Sequence, residues 1–278
     1  MTEQFTFHRI HLPSADITLS YAQAGTATDD LTPIVFIHGA TDSYLSFSQI
    51  ASAFAARGRH VILPELRGHG SSDKPTEGEY TVARHTKDVE ELLSELGIRR
   101  AHIVGHSLGS FVAQHLADHS AVPASVTLLG SGSALQGNPT LQWLLEGDET
   151  FPGINHVEVL PETFLRDWTA STNEDPAFVQ ATYEHARTLP VAIWRHVFGD
   201  IENNPADLSA IHAPVLLIHG TEDEFFDKDD ELRLIDALGT QELVYLEHVG
   251  GKHNIHWDHG ETQRVSADIQ RFLAFIGD

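Results

Sequence analysis

The chain has 278 residues, with 40 aspartates and glutamates against 17 lysines and arginines and a formal charge of −23 at pH 7. That charge argues against nucleic acid, anionic membranes and strongly anionic substrates as partners, because their phosphates or carboxylates are repelled. Cysteine is absent, which excludes disulfides, thiol catalysis and cysteine-ligated metals together.

No apolar run reaches the roughly eighteen residues of a membrane span. The start, Met1 to Pro13, alternates Phe, His and Arg and lacks the apolar segment of a signal peptide, so a cytoplasmic protein is expected. Residues Phe5 to Ala24 alternate and break at Pro13-Ser14, the pattern of an antiparallel hairpin. Pro33 to Ile37 is a compact apolar run ending in His38-Gly39, followed by a helix-like stretch from Tyr44 to Ala56. His60 to Leu63 reads as the next buried strand, and Thr81 to Leu96 as a helix stopped by Gly97. Ala101 to Val104 is again an apolar strand; it runs into Gly105-His106-Ser107-Leu108-Gly109, after which Phe111, Val112, His115 and Leu116 recur at helical spacing. Ala124 to Leu129 is a further strand. Strands alternating with helices predict a parallel sheet covered on both faces.

The rhythm changes from about Ala134 to Ala206, where helical patterns rich in large apolar residues follow one another with no buried strand run. A bare loop of that length is foreign to a compact domain, so a helical insertion is expected. The sheet resumes at Pro214 to Ile218, followed by Gly220-Thr221-Glu222-Asp223, a helix through Leu238, a strand at Leu243 to Leu246 and a last helix from about Glu261.

Strand, Gly-x-Ser-x-Gly, helix is the context of a nucleophile elbow: the serine sits on a sharp turn between neighbours that must be small, at a helix N-terminus that favours developing negative charge. A serine hydroxyl becomes a useful nucleophile only when a neutral imidazole takes its proton and a carboxylate orients that imidazole. Parallel strands bring their carboxyl ends to one edge, and four loops there carry suitable residues. For the base, His253 follows two glycines and Lys252 in the loop before the last helix and is favoured over His248, His256 and His259. For the acid, Asp223 directly follows a strand and is favoured over Glu222 and Asp227. The backbone amides of Ala40 and Leu108 are the expected oxyanion hole. His38 and His106, with Trp143, Trp168 and Trp194 of the insertion, are candidates for substrate contact. The spacing His253, His256, His259 lacks a His-Glu-x-x-His pattern, so no metal is expected.

These segments, with Arg67-Gly68-His69-Gly70-Ser71-Ser72-Asp73-Lys74-Pro75 and His253-Asn254-Ile255-His256-Trp257-Asp258, resemble the α/β-hydrolase superfamily in its capped esterase, lactonase and epoxide-hydrolase-like branch. The resemblance covers nearly the whole chain. It implies a mostly parallel, doubly covered eight-stranded sheet in residues 1–133 and 207–278, with a helical cap inserted at 134–206. Carried over by position, it implies Ser107 as nucleophile, Asp223 as acid and His253 as base, without a cofactor. Lys252 and Gly260 depart from the residues common at those places, and Ser107 argues against the aspartate-nucleophile branches. The reaction expected is hydrolysis of a small carboxylic ester or lactone through an acyl-enzyme. The rivals are a carbon–carbon hydrolase, a thioesterase, a haloperoxidase-like enzyme and a non-enzymatic ligand receptor; a homodimer is left open.

Overall fold

A computed structural model of the chain describes residues 5–28, 31–76 and 79–278. Eight strands form one sheet in the order β1-β2-β4-β3-β5-β6-β7-β8. β1 (Thr6–Leu12) and β2 (Ile17–Ala24) are the hairpin expected around Pro13-Ser14, and β2 also runs antiparallel to β4. β3 (Ile34–Ile37), β4 (Val61–Glu65), β5 (Ala101–His106), β6 (Pro123–Leu129), β7 (Val215–Gly220) and β8 (Leu243–His248) are parallel.

The period-2 alternation of strands divides each buried run between two cores. In β3, Ile34 and Phe36 face α1 (Leu45–Ala55) and α9 (Glu261–Phe275), joining Phe47, Ile50, Val265 and Ile269. Val35 and Ile37 face the opposite way, with Val89, Leu92, Phe111 and Leu116 of α2 (Val82–Glu95) and α3 (Leu108–His119). Thr81 starts α2 by accepting from the Arg84 amide at 3.1 Å, as an N-cap threonine should. α8 (Lys228–Ala237) opens on a reciprocal capping box between Asp227 and Asp230.

Between β6 and β7 the chain builds helices only: α4 (Pro139–Glu146), α5 (Glu162–Trp168), α6 (Pro176–Thr188) and α7 (Val191–Asp200), with 3₁₀ turns at Ile154–His156 and Leu208–Ala210. Pro139 and Pro176 occupy first-turn positions where a missing N–H costs nothing, behind the capping side chains of Asn138 and Asp175. No helix among the described residues is long and apolar enough to cross a membrane.

Strand order reverses between β3 and β5. The chain leaves β3 to build β4 on one side, then returns to add β5 on the other, in register Ile37 to Gly105. Loops diverge at such a switch point and leave a crevice at the strands' carboxyl ends. The loops that bound it are those after His38 and after His106.

Candidate active site

The elbow's local geometry follows from its glycines. Ser107 has φ 50° and ψ −117°, and only it and Asp16 among the described non-glycine residues have positive φ. Such backbone strain persists where the surroundings enforce it. A Cβ on Gly105 would stand 2.2 Å from the Gly109 carbonyl oxygen, and one on Gly109 would stand 2.1 Å from that of Ile37. Strand β5, helix α3 and strand β3 touch there, so both positions must lack a side chain.

Asp223 ends the turn after β7 with its side chain 1% exposed. Its Oδ1 accepts from the amides of Phe225 (2.8 Å) and Phe226 (3.1 Å), and both carboxylate oxygens lie 3.0 Å from Nδ1 of His253. Burial works against the charge on Asp223, but the attraction of His253 and these hydrogen bonds hold its carboxyl below the usual range. His253 is the mirror case: burial disfavours the imidazolium, while the Asp223 charge and hydrogen bond raise its pKa above the ordinary value. The bond at Nδ1 assigns the proton to that nitrogen and leaves the Nε2 lone pair for a hydroxyl proton.

Ser107 and His253 line one cavity of about 450 Å³, a size that suits a small organic ligand. Ser107 Oγ makes no hydrogen bond to the imidazole in this arrangement; such contacts commonly tighten only when substrate is bound. Ala40 lines the same cavity, and Leu108 is the first residue of α3, where an amide has no acceptor within the helix.

Of the five residues expected to contact substrate, His106, Trp143 and Trp168 line the cavity. His38 and Trp194 do not. His38 is buried in the loop itself: its Nδ1 donates to the Gly39 carbonyl at 2.7 Å and its Nε2 accepts from the Leu66 amide at 3.0 Å. The Gly39 carbonyl shares a peptide plane with the Ala40 N–H, so this ring orients that amide, the expected oxyanion donor, from behind. His69 bonds to the next carbonyl, that of Ala40, at 2.6 Å. Trp194 is 1% exposed and packs edge-on to Phe164 and Trp168, within the apolar body of the insertion. The rest of the Arg67–Pro75 segment is structural. Arg67 forms a buried pair with Asp88 at 2.5 Å, and Asp73 accepts from the Thr18 amide at 2.7 Å.

His253, His256 and His259 do not converge: His253 is taken by Asp223, His256 is fully buried, and His259 is exposed opposite Glu174 at 3.5 Å. The sequence reading missed Phe225, Glu224 and Gly130. Phe225 lines the cavity against the His253 ring, at 4.8 Å between centroids, and Glu224 accepts from the His253 amide at 3.2 Å. A Cβ on Gly130 would lie 2.9 Å from the His253 ring. Their adjacency to Asp223 and to the end of β6 was the available signal.

The insertion is fastened to three of these loops. Trp168 Nε1 donates to Thr41 Oγ1 at 2.9 Å, Asn138 Nδ2 to the Phe225 carbonyl at 2.6 Å, and Asn173 Nδ2 to the Trp257 carbonyl at 2.8 Å.

Comparison with known proteins agrees with this architecture. The model of the alpha/beta hydrolase fold family matches residues 32–260. A 2-hydroxymuconate semialdehyde hydrolase of Pseudomonas putida is 28% identical over 255 residues, covering 87% of each chain. A 2-hydroxy-6-oxo-6-phenylhexa-2,4-dienoate hydrolase of Comamonas testosteroni is 25% identical over 272 residues, covering 92% of each. The crystal structure of an esterase from Rhodococcus sp. ECU1013 superposes with a TM-score of 0.76 at 21% identity, covering 100% of both chains, a likeness of fold. The matched span runs from just before β3 to beyond His253, and by it the chain belongs to the α/β-hydrolase family.

Proposed function

We propose that this protein is a serine hydrolase of uncharged carboxylic esters or lactones, working through an acyl-enzyme. The observation that carries the reading is the His253–Asp223 pair, bonded at 3.0 Å, opening on the cavity that also holds Ser107 in its strained elbow. Ser107 Oγ attacks the carbonyl carbon while its proton passes to His253 Nε2. The tetrahedral oxyanion is held by the N–H groups of Ala40 and Leu108. Collapse breaks the carbon–oxygen bond, and His253 returns the proton to the departing alkoxide. Water, deprotonated by the same imidazole, then releases the acid and restores the serine.

Charge in the cavity supports an uncharged substrate. Asp42, Asp167, Glu224 and Asp258 line it, against Lys252 as its one basic residue besides histidine among the described lining. Its apolar wall comes from Trp143, Phe151, Phe164, Trp168 and Phe225. Residues 134–206 serve in this reading as a cap over the sheet edge, enclosing the substrate between α5 and the loops below.

A second reading has its own support: the two relatives named above are hydrolases of 2-hydroxymuconate semialdehyde and of a 2-hydroxy-6-oxo-dienoate, proteins alike over most of both chains. On that reading the same triad cleaves a carbon–carbon bond. An assay of a neutral aryl ester, a lactone and a vinylogous 1,5-diketo acid separates the two. Ester or lactone turnover well above that of the diketo acid supports the proposal, and the reverse order supports the second reading. Ser107→Ala should lower the favoured activity by on the order of 10⁴-fold or more; retention of most of it would remove Ser107 from the mechanism.

A further inference from the structure

Behind the triad lies a second cluster that the reaction above does not use. Asp42, His106 and His256 are buried, with one potential ligand atom from each within 4.8 Å of the others. They come from three segments: the oxyanion loop, the elbow and the loop that carries His253.

The hydrogen bonding of His106 sets the chemistry. Its Nε2 faces the carbonyl oxygen of His253 at 3.1 Å, which requires a proton on Nε2. In the neutral ring the lone pair is then on Nδ1, and Nδ1 points at Asp42 Oδ2 across 3.7 Å. A lone pair facing a carboxylate is repulsive unless a cation lies between them. A proton shared by a charged pair would draw the atoms to about 2.7–2.9 Å. Two ligands of one tetrahedral zinc-type ion, each at about 2.0–2.1 Å, stand about 3.4 Å apart, close to what is seen. The carbonyl bond at Nε2 is also the kind of outer contact that fixes a metal-binding histidine's tautomer.

The other two residues are short of partners. His256 is 0% exposed, and neither of its ring nitrogens, nor Nδ1 of His106, has a hydrogen-bond partner among the described residues. Its ring lies against those of Phe47 and His106, at 4.7 and 4.1 Å between centroids, so rotation toward an ion breaks no hydrogen bond. Asp42 Oδ2 accepts one long bond, from the Gly39 amide at 3.3 Å. Gly39 itself leaves the space: a Cβ there would be 2.8 Å from His106 Nδ1 and 3.0 Å from Asp42 Oδ2. Buried polar groups are rarely left so poorly satisfied.

We propose that Asp42, His106 and His256 form a binding site for a divalent transition-metal ion of the zinc class, with a remaining coordination position toward the cavity that Asp42 and His106 line. Two imidazoles and one carboxylate suit zinc, cobalt, nickel or copper, whereas magnesium and calcium favour all-oxygen shells. A second cluster, His115, Asp118 and His119, differs in kind: three of its four ring nitrogens are already engaged by Asp118 and Glu90 at 2.6 to 3.2 Å, near the surface.

The test uses the full chain, stripped by chelation and titrated with Zn²⁺ and separately with Co²⁺; none of its readouts depends on hydrolysis. Wild type should bind at this site with a raised melting temperature and with the visible bands of four- or five-coordinate cobalt. Asp42→Asn and His256→Gln should each weaken that binding on the order of 100-fold, while His119→Ala leaves it in place and Mg²⁺ does not substitute. Anomalous diffraction at the zinc edge from wild-type crystals locates the ion whatever the variants' folding. A peak among the three side chains supports the site. A peak confined to His115, Asp118 and His119, no binding by wild type at micromolar zinc, or wild-type affinity in both Asp42→Asn and His256→Gln would overturn it.

Discussion

At His253, burial and a neighbouring carboxylate pull in opposite directions, and the carboxylate wins, so the imidazole titrates above its ordinary value of 6.5. A general base works only when neutral. In chelator-containing buffer, kcat/KM should therefore fall as pH drops, with the midpoint of the acid limb above pH 6.5. Asp223→Asn removes the charge that raises the pKa, so the limb should move to lower pH while the plateau falls by about 10⁴-fold. A wild-type midpoint well below 6.5 would deny that Asp223 governs this ring. His38 gives a second case at this scale. Burial first, then the nearby His69, lowers its pKa to about 3, so it stays neutral and keeps its grip on the Gly39 carbonyl across the working range. His38→Ala should lower kcat by about ten- to a hundredfold with little change in KM, since it displaces one oxyanion donor and does not delete it. A rise in KM alone would instead restore His38 to substrate contact. The sequence made this residue visible and not its part: its place before Gly39 was plain, but whether the ring turned into the cavity or back under the loop depends on Leu66, which folding brings in from just past the end of β4.

Among the elements, the end of β6 runs close beside the His253 ring. Gly130 has φ +50°, and an added Cβ would lie 2.9 Å from the His253 ring; Gly97, after α2, has φ +69° and open space around it. Alanine at either position incurs the left-handed backbone cost of about 1–2 kcal/mol. Thermal or urea melts should show both losses, and Gly130→Ala should in addition depress kcat because the imidazole must move. Equal activity in the two variants would mean that the contact at Gly130 is slack. The elements themselves were largely legible. Alternation broken at Pro13-Ser14 marked β1 and β2, apolar runs marked the other six strands, and Thr81 and Gly97 bracketed α2. Pro139 and Pro176, behind Asn138 and Asp175, mark the starts of α4 and α6 by the same chemistry. What the pattern could not supply was which apolar side chains of the insertion face the cavity. Trp168 and Trp194 carry the same signal, yet Trp168 reaches Thr41 and Trp194 is sealed among Phe164, Trp168 and Phe198. Strand order was likewise hidden, because the crossing from β4 back past β3 to β5 leaves no local trace in composition.

For the molecule as a whole, the excess of acid dominates, at −23 with 17 basic residues to set against 40 acidic ones. Several of those bases are committed to exposed pairs, such as Arg166–Glu162, Arg187–Glu184 and Lys228–Glu247, each worth about 0–1 kcal/mol. Repulsion among the remaining carboxylates should exceed what these pairs return, so screening should stabilise the fold. Between about 0.01 and 0.5 M sodium chloride the screening length falls from about 30 Å to a few ångströms. The melting temperature at neutral pH should rise by several degrees over that range, and a fall would show the pairs to outweigh the repulsion. The same field acts on arriving substrate, because a negative protein slows the encounter of an anion and leaves a neutral molecule alone. Measured on a neutral aryl ester and on its carboxylate-bearing analogue, kcat/KM should stay flat with salt for the first and climb for the second. In chelator-containing buffer, which leaves Asp42 without a metal, cavity carboxylates Asp42, Asp167, Glu224 and Asp258 should keep the anionic analogue the poorer substrate at every salt concentration. If the anion were preferred even at low salt, Lys252 would have to outweigh all four, and the keto-acid reading of the site would displace the ester one.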